Sequence, residues 1–256
     1  MTIKRPIALV RRPSPRLVEG LVTHIQRSDI DVELALRQWK NYVGALRQSA
    51  WHVVEVPEAE ECPDSVFVED TVVMFKGTAV ITRPGSDSRK PEIMAVAKTV
   101  QQLGCHLQYI EAPGTMDGGD VLKIRDTIYV GQSGRTNPEG IRQFTTIVES
   151  LGARVIAVPL MKALHLKSAV TALPDGRVIG WLPALDSPSV FPEFLAVPEE
   201  SGAHVIIVGD RQLLMAAGAP ESARIFRAMG YVVIEIDISE FIKLEGCVTC
   251  LSVRIR

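Results

Sequence analysis

Long apolar runs are missing from this 256-residue chain: none approaches the ~18 residues of a membrane-spanning helix, so no membrane partner is expected. Charge of one sign is equally lacking. The formal net charge is −2, and lysine and arginine are scattered rather than massed on one segment, which leaves no electrostatic footprint for nucleic acid. The opening Met-Thr-Ile-Lys-Arg-Pro runs straight into a short strand pattern, without an apolar h-region of signal-peptide length. Cysteine is sparse: Cys62, Cys105, Cys247 and Cys250 are irregularly placed and make no disulfide framework for a chain this long, so a reducing cytoplasm is the expected compartment. No strand–GxxxxGK–helix pattern occurs, and Gly118-Gly119 is too short to cradle a phosphate.

What is present is a repeated grammar. A helical stretch ends, often at Gly; a short β-branched strand follows, often closing on Pro or an acid; then come a loop and a pair of strands. The first copy reads Val53 to Pro57, Ser65 to Asp70 and Thr78 to Arg83; the second Leu107 to Pro113, Val121 to Ile124 and Thr127 to Gly131. The third reads Val155 to Pro159, His165 to Leu173 and Arg177 to Trp181; the fourth Phe194 to Pro198, His204 to Gly209 and Gln212 to Ala217. The fifth, Tyr231 to Asp237, leads into an apolar C-terminal run around Cys250 and lacks a last partner, while Ile7 to Arg12 is left unpaired at the other end. Pairing first strand with last closes a ring and removes exposed sheet edges. Amphipathic spacers predict helices over Asp31–Ser49, Pro91–Leu103, Asn137–Leu151 and Ala219–Met229, and the proline-rich Asp186–Pro192 predicts none. The expected fold is therefore a single α/β domain over residues 1–256, a closed five-bladed propeller of pseudo-fivefold ββαβ repeats. A doubly wound sheet also alternates strands with helices, but hairpins such as the one at Pro174-Asp-Gly argue against it.

In such a ring, residues from separate repeats meet at the axis. Asp64 to Asp70, Asp117, His165 and Cys250 occupy corresponding places, after strand and loop and just as the hairpin begins. Thiol, imidazole and several acids together suggest nucleophilic chemistry on a cation. A thiol attacks as thiolate, and clustered carboxylates oppose its ionisation unless a bound cation neutralises them. A guanidinium meets every condition: its planar fork matches paired carboxylates, and its carbon is electrophilic beside a thiolate. Arg89 and Arg135 follow hairpins, near an expected rim, where a substrate carboxylate needs a partner.

The runs Pro63 to Asp70, Ile81 to Gly85 with Ser88-Arg89, Met116 to Leu122, Gly131 to Asn137, Leu164 to Lys167 and Gly246 to Ser252 resemble those of the dimethylarginine dimethylaminohydrolase family, in order and over nearly the whole chain. The resemblance implies the five-bladed pentein fold and hydrolysis of Nω-methylated arginine to citrulline and an alkylamine, with no metal or organic cofactor. It implies Cys250 as nucleophile, His165 as general acid/base, and Asp70 and Asp117 as the groups gripping the guanidinium, Asp117 counted with the catalytic set. It also implies Asp64 and Glu69 on the substrate side, Phe67 as an apolar wall, Arg89 and Arg135 on the substrate carboxylate, Leu21 in a flexible lid, and the Leu244 carbonyl on the substrate. The partner is then a small molecule, methylated arginine, with room left for a homodimer. Arginine deiminase and amidinotransferase are the rival activities on this scaffold, and a non-catalytic ring is the rival from another class.

Blander readings compete at several residues. Cys247 and Cys250 form a C-x-x-C; on a strand, residues three apart face opposite ways, so the pair is expected to be unfit for a disulfide or shared metal. Cys62, Cys105 and Cys247 read as packing. His24, His52, His106 and His204 read as surface or edge positions, and Asp120 as a hydrogen-bond acceptor.

Overall fold

The computed structural model describes residues 5–256; residues 1–4, which open the stretch read as lacking a signal h-region, lie outside the described residues. In chain order the elements are β1 (Ile7–Val10), α1 (Val32–Gln48), β2 (His52–Glu55), β3 (Val72–Phe75), β4 (Thr78–Ile81), α2 (Ile93–Gln102) and β5 (His106–Tyr109). They continue with β6 (Val121–Ile124), β7 (Thr127–Gln132), α3 (Pro138–Glu149), β8 (Arg154–Pro159), β9 (Val170–Ala172), β10 (Val178–Gly180) and β11 (Phe194–Ala196). Last come β12 (Val205–Gly209), β13 (Gln212–Ala216), α4 (Pro220–Ala228), β14 (Val232–Ile236), α5 (Ser239–Ile242) and β15 (Val253–Ile255). No helix among the described residues is long and apolar enough to cross a membrane.

The strands form five three-stranded sheets, each with one antiparallel and one parallel pairing. Four sheets run in chain order, β3-β4-β5, β6-β7-β8, β9-β10-β11 and β12-β13-β14. The fifth, β15-β1-β2, joins the two ends of the chain, Ile7 opposite Ile255 and Leu9 opposite Val253. That is the expected ring closure. A parallel pairing needs a crossover, and α1 to α4 supply four of the five. The fifth crossover, from β10 to β11, is made by two short 3-10 turns, Leu182–Ala184 and Pro188–Val190, in the proline-rich stretch.

Helix α1 shows why the spacers fold as they do. Asp31 caps its first turn by accepting from Leu34 N at 2.8 Å, and Ala35, Trp39, Tyr42, Val43 and Leu46 form a buried stripe at helical spacing. Parts of the first strand of each antiparallel pair, β3, β6, β9, β12 and β15, border one axial cavity of about 1180 Å³. The segments entering these strands are tight turns: 3-10 helices cover Val68–Thr71, Gly118–Asp120, Leu166–Ser168 and Glu200–Ala203. Ser65 to Asp70, predicted as a strand, belongs to this class; β3 begins only at Val72, because Ser65 to Phe75 is buried on every side and apolar alternation carries no face information there.

Candidate active site

Cys250 lies in a turn three residues ahead of β15, not on the terminal strand expected from the apolar run. Its N–H donates to the Cys247 carbonyl at 3.1 Å, closing a β-turn. Cys247, Val248, Cys250 and Leu251 all enter the core, so burial on all sides again hid the turn. Helix α1 braces it: the Tyr42 hydroxyl lies 3.0 Å from the Val248 carbonyl and 2.6 Å from Ser252 Oγ. The Cys250 carbonyl accepts from Glu69 N at 3.2 Å, tying this turn to the one before β3. The hydrogen bond to Cys247, burial, and the carboxylates of Glu69 and Asp70 push the Cys250 thiol well above its ordinary range.

His165 enters from the turn ahead of β9 and is buried. Its Nε2 lies 2.9 Å from Asp117 Oδ2 and its Nδ1 3.9 Å from Asp70 Oδ1. Burial pulls the imidazole down, but Asp70, Asp117 and Asp120 together outweigh it and lift it to about 9, so it carries a proton at neutral pH. Asp117 Oδ1 accepts from Gly85 N at 2.9 Å. Asp120 is an acceptor, as expected: it takes Leu166 N at 2.9 Å, Ser133 Oγ at 2.7 Å and Thr136 Oγ1 at 2.6 Å, fixing the turn that carries His165. Burial raises its carboxyl to about 6.

Asp70 accepts from Gly119 N at 2.8 Å and pairs with Arg89 at 2.6 Å. Burial raises this carboxyl, yet His165 and Arg89 outweigh burial and bring it down to about 2. Asp64 accepts from Leu21 N at 3.0 Å, which ties that segment to the site, and burial raises its carboxyl. Phe67 packs edge-on against Phe241, ring centroids 6.3 Å apart, and the missing side chain of Gly246 makes room for it; a Cβ there would meet the Phe67 ring at 2.3 Å.

These groups surround one small cavity. Cys250, His165, Asp70, Asp64 and Arg89 line it, with Phe67, Leu21, Leu244 and Arg135 around them. Leu164, Glu245 and Gly246 line it too and were not singled out from sequence. At about 20 Å³ it has room for one water-sized molecule. Glu245 ties down the segment around Leu21, accepting from Thr23 N at 2.5 Å and His24 N at 2.8 Å.

Four expected placements differ. Glu69 does not border this cavity; its Oε1 pairs with Lys167 at 2.6 Å and Arg254 at 2.8 Å beside the large axial cavity, because two cations draw it there. Asp117, expected to grip the substrate cation, is spent on His165 and Gly85 and stands behind the imidazole. Arg89 borders the cavity, but each of its nitrogens is already bonded, to Glu92, Asp70 and the carbonyls of Asp64 and Phe67. Arg135 keeps only a long 3.4 Å side-chain bond to Thr23 among the described residues. His204, read as an edge position, is buried and bonded to the Ser168 carbonyl at 2.9 Å. Asp70, Asp117 and His165 bring one potential metal-ligand atom each within 4.8 Å of one another, but these atoms are engaged with each other and with Arg89 and Gly119.

The family model for N,N dimethylarginine dimethylhydrolase, eukaryotic, matches residues 22–172. An N(G),N(G)-dimethylarginine dimethylaminohydrolase from Streptomyces coelicolor is 60% identical over 249 residues, 97% of this chain and 96% of that protein. One from Pseudomonas aeruginosa is 38% identical, over 96% and 98% respectively. Among solved structures, a mutant of the Pseudomonas aeruginosa enzyme complexed with citrulline superposes with a TM-score of 0.90 at 36% identity, covering 97% of this chain and 98% of that one. The N-terminal domain of ArgZ, an arginine dihydrolase from cyanobacteria, gives a TM-score of 0.84 at 19% identity over 97% of each chain, a likeness of fold.

Proposed function

This chain belongs to the dimethylarginine dimethylaminohydrolase family, and from that premise we propose that it hydrolyses Nω-methylated arginine, asymmetric dimethylarginine and monomethylarginine, to citrulline and dimethylamine or methylamine. The observation that carries the reading is the convergence of Cys250, His165, Asp70 and Asp64 on one small cavity, with Asp117 behind the imidazole. Substrate enters when the lid around Leu21 opens. Asp70 and Asp64 hold the guanidinium, Phe67 backs its alkyl portion, and the Leu244 carbonyl accepts from the substrate. Arg135, the less committed of the two expected arginines, takes the α-carboxylate, while Arg89 acts from behind by holding Asp70.

The cation's charge makes ionisation of Cys250 favourable, offsetting the carboxylates that keep the free thiol protonated. The thiolate attacks the guanidinium carbon. The alkylamine leaves with the proton of the His165 imidazolium, and a thiouronium-type adduct remains on Cys250. Neutral His165 then takes a proton from water, whose oxygen attacks the same carbon; the C–S bond breaks and citrulline departs. Asp117 keeps the imidazole oriented through both steps. The free thiols suit a reducing compartment, and the cytoplasm is the location we propose. The test is citrulline release from asymmetric dimethylarginine and from arginine side by side, with Cys250→Ser as control. Release from the methylated substrate, lost in the variant, supports the reading; preference for plain arginine reassigns the chain to deiminase chemistry.

A further inference from the structure

Cys247 and Cys250 were expected to face opposite ways, and they do not. Their sulfurs lie 3.3 Å apart, and Cys247 N points at Cys250 Sγ at 3.5 Å. The cause is the β-turn closed by Cys250 N and the Cys247 carbonyl. A β-turn keeps its end Cα atoms within ~7 Å, and a disulfide spans Cα separations of roughly 4.4–6.8 Å, so this backbone already suits one. The sulfurs need to close by roughly 1.3 Å to reach S–S bonding distance. Both thiols are free, and Cys250 borders a small, partly open cavity from which a peroxide can approach the pair. Cys247 does not border the cavity, and its other hydrogen-bonding neighbours are Thr249 Oγ1 at 3.2 Å and the Lys167 carbonyl at 3.9 Å.

We infer that Cys247 and Cys250 are an oxidation site, at which a hydroperoxide converts the two thiols into an intramolecular disulfide that withdraws the nucleophile until a dithiol restores it. The inference goes beyond the hydrolase reading and depends only on the geometry of the pair. The ionised sulfur attacks a peroxide oxygen; the O–O bond breaks, hydroxide leaves, and that sulfur becomes a sulfenic acid. The second thiol attacks the sulfenic sulfur; the S–S bond forms, the S–O bond breaks, and the oxygen leaves as water with the proton of the second thiol. In total the thiols give up two electrons and two protons, and the peroxide is reduced to water. A dithiol reverses the state by two exchange steps and leaves as its own cyclic disulfide.

The experiment exposes the full chain to hydrogen peroxide and follows alkylatable thiols, intact mass, peptide linkage and citrulline formation, before and after dithiothreitol. The thiol count is expected to fall from four to two, with a mass lower by two hydrogens, a linked Cys247–Cys250 peptide, and full return after reduction. Cys247→Ser, or Cys247→Ala if the serine chain does not fold, is expected to form no link. A wild-type chain that keeps four alkylatable thiols, or gains oxygen on Cys250 while Cys247 stays alkylatable, overturns the inference. The thiol and mass readouts need no turnover, so they stand even if the methylarginine reading fails.

Discussion

A Cβ built on Gly119 falls 2.8 Å from the His165 ring and 2.6 Å from Asp70 Oδ1, closer than real side chains approach, so the absent side chain is what lets imidazole and carboxylate share the space. The same residue donates its N–H to Asp70. Gly119→Ala must therefore displace His165 or Asp70, and a shift near 1 Å at a catalytic group costs about 100-fold in rate. The expected outcome is a kcat for citrulline release lowered by about that factor with the chain still folded. Unchanged kcat would mean that the site tolerates a moved imidazole. At this scale the sequence was only partly legible. Cys250, His165, Asp70 and Asp64 could be assigned because repeat position and family motif agree. The turn of Glu69 away from the Cys250 cavity could not, since it depends on Lys167 and Arg254, roughly a hundred or more residues away in sequence.

At the scale of elements, the segment proposed as a lid is held at several points. Leu21 N is bonded to Asp64, Thr23 N and His24 N to Glu245, and the Arg27 guanidinium to the carbonyls of Val18 and Gly20. On the proposed function, admitting methylarginine breaks these bonds and product release re-forms them. Glu245→Ala removes the latch while leaving Asp64 and Arg27 in place. Amide hydrogen exchange at Thr23 and His24 is expected to quicken about ten-fold, the equivalent of ~1.4 kcal/mol, within the range for hydrogen bonds to a charged group. Unaltered exchange there would show that Arg27 and Leu21 hold the lid unaided. Helices α1 to α4 and most strands were legible because apolar periodicity, capping residues and Pro or Gly punctuation agree. The segments before β3 and β15 were not, because residues buried on every side lose the alternation that separates strand from turn. Helix α5, four residues long, is too short to show a period at all.

At the scale of the whole molecule, the ring gathers charges in its interior, and those charges tie stability to pH. His165 is raised from an ordinary 6.5 to about 9, so its contribution is fully present below 6.5 and is lost as pH rises through about 9. Asp70 is lowered from 3.8 to about 2, so its contribution is present above 3.8 and fades as pH falls toward 2. Asp120, raised to about 6, adds a decline from about pH 4 to 6, and Lys123, lowered by burial to about 7, adds a rise above pH 7. The histidine is therefore read as the difference in unfolding free energy between the wild-type chain and His165→Gln, expected to shrink by roughly 3 kcal/mol from pH 6.5 to 9. A difference independent of pH over that range would place the effect elsewhere. Ring closure itself was readable, because one unmatched strand stood at each end of the chain and their pairing completes the fifth sheet.

The most direct measurement is rapid acid quenching of the chain during turnover of asymmetric dimethylarginine, followed by intact-mass and peptide analysis. A transient adduct confined to the Cys250 peptide and absent in Cys250→Ser is the expected result. Steady citrulline release with no modified Cys250 at any quench time, or release that persists in Cys250→Ser, would contradict a pathway in which this sulfur carries the carbon between the two steps.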